Sequence, residues 1–415
     1  MNNRSNKLII FSRFPTPGKT KTRLIPDLGK DGAASLQKHM TEFTVTQARS
    51  AGIPIEVRYT DGSTNEMKNW LGNDLSFQDQ GEGDLGEKMS RAFKDHFDNG
   101  VEKVVIIGSD CPDIRKKTIL ECFRKLQTNS CVFGPAVDGG YYMIGLTSFN
   151  PELFSGIDWG TKNVLSQSLS KLIFSPVLLD RLNDVDEIDD IPKKISVVIP
   201  ALNEQNNIKH SIRSVLHGFN VECIVVDGGS TDNTSRISNN EGATVVQSEP
   251  GRATQMNTGA KAATGDILLF LHADSILPDD WDIEVRSTLA KNNVSLGAFR
   301  LRIDGQFAGK SVIEFGINYR SKIFKSPYGD QGLFVSKETF DKIGGFPEIP
   351  LLEDVRFVKS ASKIGSIKIS NKYISTSGRR WIELGALNTT VINQLVLIGS
   401  RIGIKLESLK KLYRI

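Results

Sequence analysis

The sequence predicts an α/β protein made of two tandem domains, each built on an open, mostly parallel, Rossmann-like sheet. Three observations carry that prediction. The chain has 415 residues, too many for one compact core. Two short apolar runs, Lys7–Phe11 and Ile195–Ile199, read as strands buried on both faces, each followed by a turn and a helical pattern. Further strand-like runs then alternate with helix-length segments, the signature of parallel sheets with crossover helices. A hydrophobic share of 39%, a charged share of 24% and a mean hydropathy of −0.22 fit a globular chain and exclude a disordered or fibrous one.

In order along the chain, the first domain is expected to place strands near 55–59, 104–107 and 132–133. The second places them near 222–226, 244–247 and 267–271. Between the halves, the acidic stretch from Asn183 to Ile191, closed by Pro192, Lys193 and Lys194, reads as a surface boundary. The predicted domains are therefore residues 1–192 and 193–415. In open parallel sheets ligands bind beyond the carboxyl ends of the strands, so functional residues are sought just after each apolar run.

Charge narrows the partners. Residues 1–194 carry 25 basic against 26 acidic residues, and residues 195–415 carry 27 against 22. Residues 376–415 alone hold seven basic and two acidic residues, which accounts for the whole excess of the second half. Nucleic-acid binding needs a broad basic face with aromatic platforms, so nucleic acid is excluded as the expected partner. The start, Met1-Asn2-Asn3-Arg4, runs into an apolar segment too short for a secretory signal. Cys111, Cys122, Cys131 and Cys223 show neither metal-type pairing nor disulfide density, which suits a reducing cytoplasm.

In the second half, the strand at 195 leads into Pro200-Ala201-Leu202-Asn203-Glu204. The next leads into Asp227-Gly228-Gly229-Ser230-Thr231-Asp232, which taken alone is equally a turn with a helix cap. A third ends in His272-Ala273-Asp274, where a carboxylate suits a hard cation that bridges phosphates. Glu353-Asp354 opens an apolar-periodic helix. The order of these motifs, with Gly251–Ala260 and Arg379-Arg380-Trp381, resembles the family 2 glycosyltransferases of GT-A fold over residues 195–381. More narrowly it resembles a bacterial arsenosugar-biosynthesis or radical-SAM-associated subgroup.

The resemblance implies a sugar transfer from a nucleotide-sugar donor to an acceptor hydroxyl with inversion. Pro200, Ala201, Asn203, Glu204, Asp227, Gly228, Ser230, Asp232, Arg252, Gln255, Asn257, Arg380 and Trp381 would bind the nucleotide-sugar. Asp274, with His272 in the position of the family's first metal acid, would hold Mg²⁺ or Mn²⁺. Asp354 would be the catalytic base and Glu353 its orienting neighbour. The chemistry needs such groups, because departure of a nucleoside diphosphate leaves negative charge to stabilise. An acceptor hydroxyl also needs a base, worth about 10²–10⁴-fold. Ser377 stands where many relatives carry glutamine, which favours a single transfer over chain elongation.

In the first half, Phe11–Leu24 holds Lys19, Lys21 and Arg23 in a Pro/Gly loop that suits phosphates, without Walker A spacing. Asp110 and Asp138 follow later strands. This half resembles GT-A-like proteins related to guanylyltransferases over residues 6–190. The resemblance implies phosphate binding by Lys19, Lys21 and Arg23, a metal on Asp110 and Asp138, and a pocket lined by Gly83–Gly86, Asp84 included. Asp184-Val185-Asp186 is similar to the family's closing acidic segment.

This domain would synthesise or hold the donor. Two competing readings remain: a sugar-phosphate nucleotidyltransferase with a passenger second domain, and a nucleotide-binding module without turnover. The tail, Asn388–Ile415, reads either as helices packed on the second domain or as a basic amphipathic contact with a membrane surface near a lipid-linked acceptor.

Overall fold

The computed structural model describes residues 5–413. The chain start through Arg4, together with Arg414 and Ile415 of the predicted tail, lies outside the described residues. The chain divides into two compact units, Met1–Ile191 and Pro192–Ile415.

The first unit holds seven strands: β1 (Asn6–Arg13), β2 (Ile55–Thr60), β3 (Ser76–Asp79), β4 (Lys103–Gly108), β5 (Cys131–Pro135), β6 (Tyr141–Leu146) and β7 (Val177–Leu178). Their order in the sheet is β3-β2-β1-β4-β6-β5-β7. β6 runs antiparallel between β4 and β5, and the β1–β2, β1–β4, β2–β3 and β5–β7 pairs are parallel. The second unit adds β8 (Ile195–Ala201), β9 (Val221–Asp227), β10 (Thr244–Gln247), β11 (Ile267–Phe270), β12 (Ser275–Ile276), β13 (Val294–Ile303), β14 (Leu333–Ser336) and β15 (Ser366–Thr376). Their order is β10-β9-β8-β11-β14-β13-β15-β12, with β14 antiparallel to both β11 and β13.

Both sheets thus repeat one plan. The first, second and third strands lie side by side, the fourth joins on the far side of the first, and an antiparallel strand follows it. The plan comes from strands that bury both faces. In β1, Leu8 and Ile10 join one core while Ile9 joins the other; in β8, Val197 and Ile199 face one core and Val198 the opposite one. Each such fully buried side chain contributes about 1.5–3 kcal/mol. Gly259, in the helix Arg252–Ala262, lets that helix approach the sheet: a Cβ there would lie 2.3 Å from Val198.

The strand order reverses between β1 and β4, and again between β8 and β11. At such a switch point the crossovers diverge to opposite faces and leave a crevice at the carboxyl ends. Both candidate sites lie there. The four cysteines are buried and free, and no described helix is long and apolar enough to cross a membrane.

Candidate functional site

In the second unit, the loops after β8 and β9 are locked to each other. Asn203 adopts left-handed backbone (φ 55°), which asparagine tolerates. Its amide donates to Ser230 Oγ at 2.9 Å, and its Oδ1 accepts from the Thr231 amide at 2.9 Å. Asp232 accepts from the Gln205 amide at 3.2 Å. Asp227 is buried, which by itself would raise its carboxyl. Hydrogen bonds from Ser230 and Ser235 outweigh that and hold it below the usual carboxylate range. The pocket wall predicted from Pro200 to Asp232 is therefore preorganised by its own side chains.

Several predicted ligand residues turn out to hold protein. Gln255 is buried and donates to the Ala201 and Val226 carbonyls at 2.9 and 2.8 Å, tying the ends of β8 and β9. Asn257 spends both ends of its amide on the Phe346 backbone, at 2.8 and 2.9 Å. Trp381 stacks on Phe307, with ring centroids 6.3 Å apart, and packs against the core. In this structure these three make framework contacts that close strand ends and a core edge.

The acids fall into two groups. In the first, Arg379 Nη2 lies 3.2 Å from both Glu204 oxygens and 3.5 Å from Asp274 Oδ2. Burial and the Glu204 charge push Asp274 up, partly offset by Arg379. In the second, Asp354 accepts from the Gly329 and Val355 amides, each at 2.7 Å, at the N-terminus of the helix Glu353–Ile364. A helix N-terminus favours negative charge. Leu352, just before it, is left-handed (φ 66°), a strained conformation of order 1–3 kcal/mol that aims this turn. Glu353 is buried, raised by burial and by Asp354, and faced by Arg252 at 3.8 Å.

His272 belongs with this second group. A Cβ on Gly329 would lie 3.2 Å from both His272 Nε2 and Asp354 Oδ2, so glycine is what lets the turn fit there. Burial pushes the imidazole down to about 3, which keeps it neutral.

Asp330 was not anticipated from sequence. It sits in the turn Gly329–Gln331 with Oδ1 buried and without a hydrogen-bond partner. Burial pushes its carboxyl up to about 6; Arg320 and Arg252 oppose this, and Asp354 and Asp274 add to it. Asp330 thus senses the acids of both groups. Arg379, part of the Arg379-Arg380-Trp381 motif but given no role of its own by the sequence, is the residue that bridges Glu204 and Asp274.

In the first unit a cavity of about 460 Å³ opens at the β1–β4 switch point, lined by Lys21, Asp110, Asp138 and Asp184. Its size suits a small-molecule site. Lys21 donates to Asp110 at 3.4 Å and to Asp186 at 3.2 Å, and Arg23 meets Asp186 at 2.7 Å. Burial alone would lower Lys21, but the two carboxylates outweigh it and raise it. Burial, then Asp138, pushes Asp184 up to about 6.

Beneath lies a buried ring of polar side chains that the sequence did not single out. Ser12 meets Thr41 at 3.0 Å, and Gln37 reaches Thr41 at 3.1 Å and Ser109 at 3.3 Å. Asp84 is a correction: it caps the helix Leu85–Asp98, accepting from the Glu87 amide at 2.9 Å, and the adjacent Leu85 lines the cavity. An Asp at that position is drawn to the unpaired amides of the first turn. Lys19 is exposed, with its backbone in a turn to Thr16.

Among the described residues, no cluster of three or more His, Cys, Asp or Glu side chains is arranged to hold a metal. The carboxylates that come near one another are Glu204 with Asp274 in one site, and Asp184 with Asp138 and Asp110 in the other. That donor set fits an ion whose other ligands are phosphate oxygens and water, as Mg²⁺ prefers.

Residues 196–346 match the glycosyl transferase family 2 model, and residues 44–161 match a family described as an uncharacterized protein conserved in bacteria, DUF2064. A glucosyl-3-phosphoglycerate synthase of Mycolicibacterium smegmatis is 37% identical over 99 residues, 21% of this chain and 33% of that protein. The chain therefore spans about a third of the length of that curated relative. Among solved structures, a protein of Desulfovibrio desulfuricans G20 described as a nucleotide-diphospho-sugar transferase is 34% identical over 45% of this chain and 85% of that one, with a TM-score of 0.44. A Pyrobaculum calidifontis mannosyltransferase in complex with GDP-Man and Mn²⁺ is 19% identical over 54% of this chain and 68% of that one, with a TM-score of 0.41. The glucosyl-3-phosphoglycerate synthase of Mycobacterium tuberculosis has been solved with Mn²⁺ and UDP, and is 24% identical over 49% of this chain and 79% of that one, with a TM-score of 0.37. The chain thus holds an N-terminal segment that matches DUF2064 followed by a segment that matches glycosyl transferase family 2.

Proposed function

We propose that the C-terminal domain transfers a sugar, with inversion, from a nucleotide-sugar donor to an acceptor hydroxyl, and that Asp354 is the base. One observation supports this above the rest. His272, two positions before Asp274, and Asp354 both approach Gly329, and the neighbouring Asp330 feels the charge of both acids. In this reading the ordered loops after β8 and β9 bind the nucleotide, and Asp274 with Glu204 faces the diphosphate. A Mg²⁺ or Mn²⁺ ion there would neutralise the departing diphosphate. Asp354, held by two amides, takes the acceptor proton on the opposite side of the anomeric carbon. Neutral His272 borders that carboxylate without adding charge.

The experiment is a turnover assay of the full chain with a panel of UDP- and GDP-sugars, with and without Mn²⁺. Nucleoside diphosphate release that requires an acceptor supports the proposal; failure with every donor and acceptor tried, in protein that binds nucleotide, supports the binding-module reading.

The N-terminal domain, in the same proposal, makes or holds the donor. Its cavity couples one lysine to a set of acids, as binding a phosphate with a metal requires. Pyrophosphate release from a nucleoside triphosphate and a sugar phosphate would assign it the synthetic role. The motifs support placement in the arsenosugar-biosynthesis or radical-SAM-associated subgroup. The four buried free cysteines support a cytoplasmic setting. The tail helices Ala386–Arg401 and Leu406–Tyr413, which expose Val391, Leu395 and Ile398, support peripheral contact with a lipid-linked acceptor.

A further inference from the structure

The helix Lys310–Phe324 is amphipathic the wrong way round for a helix bathed in water. Its polar side chains point at the sheet. Glu314 Oε1 accepts from the Ile303 amide at 2.7 Å, and Asn318 pairs with both the amide and carbonyl of Leu301, each at 2.8 Å. Ser321 is buried and donates to Gln331 at 2.6 Å. Glu314 and Asn318 satisfy the edge of β13 that β14 leaves open at Leu301 and Ile303, opposite β15.

The outward face is apolar. Val312, Phe315, Tyr319 and Ile323 recur at i, i+3, i+7 and i+11 and are 75%, 69%, 53% and 52% exposed; Phe324 adds another ring at 69%. Phe315 and Tyr319 stack on each other, 5.9 Å apart. Four large apolar side chains in one stripe, with the exposed Phe324 at the helix end, are more than scattered surface hydrophobicity, and such a patch marks an interaction face.

Charge decides what covers it. The segment 310–325 carries Lys310, Arg320, Lys322 and Lys325 against the single acid Glu314, and that acid is turned inward. Lys322 and Lys325 are exposed at the C-terminal end, among the aromatic rings. A second copy placed on this face by two-fold symmetry would meet a helix whose outward charges are all basic. An anionic bilayer meets every feature: apolar and aromatic side chains enter the acyl boundary while lysines reach the headgroups.

We propose that the C-terminal domain docks on anionic membrane surfaces through the outward face of helix Lys310–Phe324. The proposal names an element outside the tail and stands independently of the transfer reaction.

The test is co-sedimentation of the full chain with phosphatidylcholine vesicles and with mixed phosphatidylcholine–phosphatidylglycerol vesicles. The wild type is expected to sediment with the mixed vesicles only, and high salt should release it. The double variant Phe315→Ser/Phe324→Ser should lower the partition coefficient at least about tenfold. The tail variant Leu395→Ser/Ile398→Ser should leave most binding in place. As a reading that does not depend on loss, Phe324→Trp should shift its emission to the blue on adding mixed vesicles. Wild-type protein that stays in solution with both vesicle types overturns the proposal. So does a Phe324→Trp spectrum that vesicles leave unmoved, or a double variant whose only change is a smaller hydrodynamic size, which would give the face to a second copy.

Discussion

The two domains solve one electrostatic problem in different ways. Each gathers carboxylates beyond the ends of parallel strands and sets a basic side chain between two of them: Lys21 between Asp110 and Asp186, Arg379 between Glu204 and Asp274. The Lys21 side chain is 10% exposed, the Arg379 side chain 51%. A buried lysine that lost its partners would be an unpaired charge, so Lys21 is fixed in its site. An exposed guanidinium gives up little when its pair opens, so the Arg379 bridge can open at small cost. The comparison teaches that the first site is built around its lysine, while the second leaves its guanidinium free to move.

The largest effect that would break this contrast lies at the base. Asp354→Asn should reduce sugar transfer by about 10²–10⁴-fold in steady-state assays while leaving nucleotide binding intact; unchanged turnover would remove the assignment. Next comes Asp330. Its carboxyl is pushed up to about 6 by burial, so the folded protein keeps a proton that the unfolded chain releases near pH 4. The stability that Asp330 contributes should therefore fall as pH rises from about 4 to about 6, by up to about 2–3 kcal/mol. The difference between wild type and Asp330→Asn should change over that range in a Tm–pH comparison, and parallel profiles would show the carboxyl to be solvated.

Lys21→Met should destabilise by about 1–2 kcal/mol in urea melts, less than a fully buried pair because Asp110 and Asp186 stay partly in water. Smallest of all, Arg379→Ala should change stability by less than about 1 kcal/mol and tighten Mn²⁺ binding measured by calorimetry. If Lys21→Met proves as silent as Arg379→Ala, the two bridges are alike and the contrast fails.

Much of the fold was legible because a short apolar run, buried on both faces, is a local property. Lys7–Phe11 and Ile195–Ile199 announce β1 and β8, and the alternation that follows gives the parallel half of each sheet. The antiparallel strands β6 and β14 were not anticipated. Tyr141–Leu146 and Leu333–Ser336 are apolar runs like any other, and only their neighbours in the sheet fix their direction. At the sites, Asp110, Asp138, Asp274 and Asp354 were legible as acids at strand or helix ends. Asp84, Asn257 and Trp381 look the same on paper, yet a helix cap, a loop tie and a core edge claimed them.

What the sequence determined by itself was the doubled α/β plan, the boundary near Pro192 and the acids that follow apolar runs, since each depends on residues close along the chain. What the tertiary structure alone decided was which charges meet. Asp330 lies 24 positions from Asp354 and 56 from Asp274, and Arg379 lies 175 from Glu204. Burial, which sets the carboxyl of Asp330 near 6 and the imidazole of His272 near 3, is likewise conferred by segments distant in the chain. Coulomb energy depends on distance through space and on the polarity of what lies between, and neither quantity exists until the chain has folded.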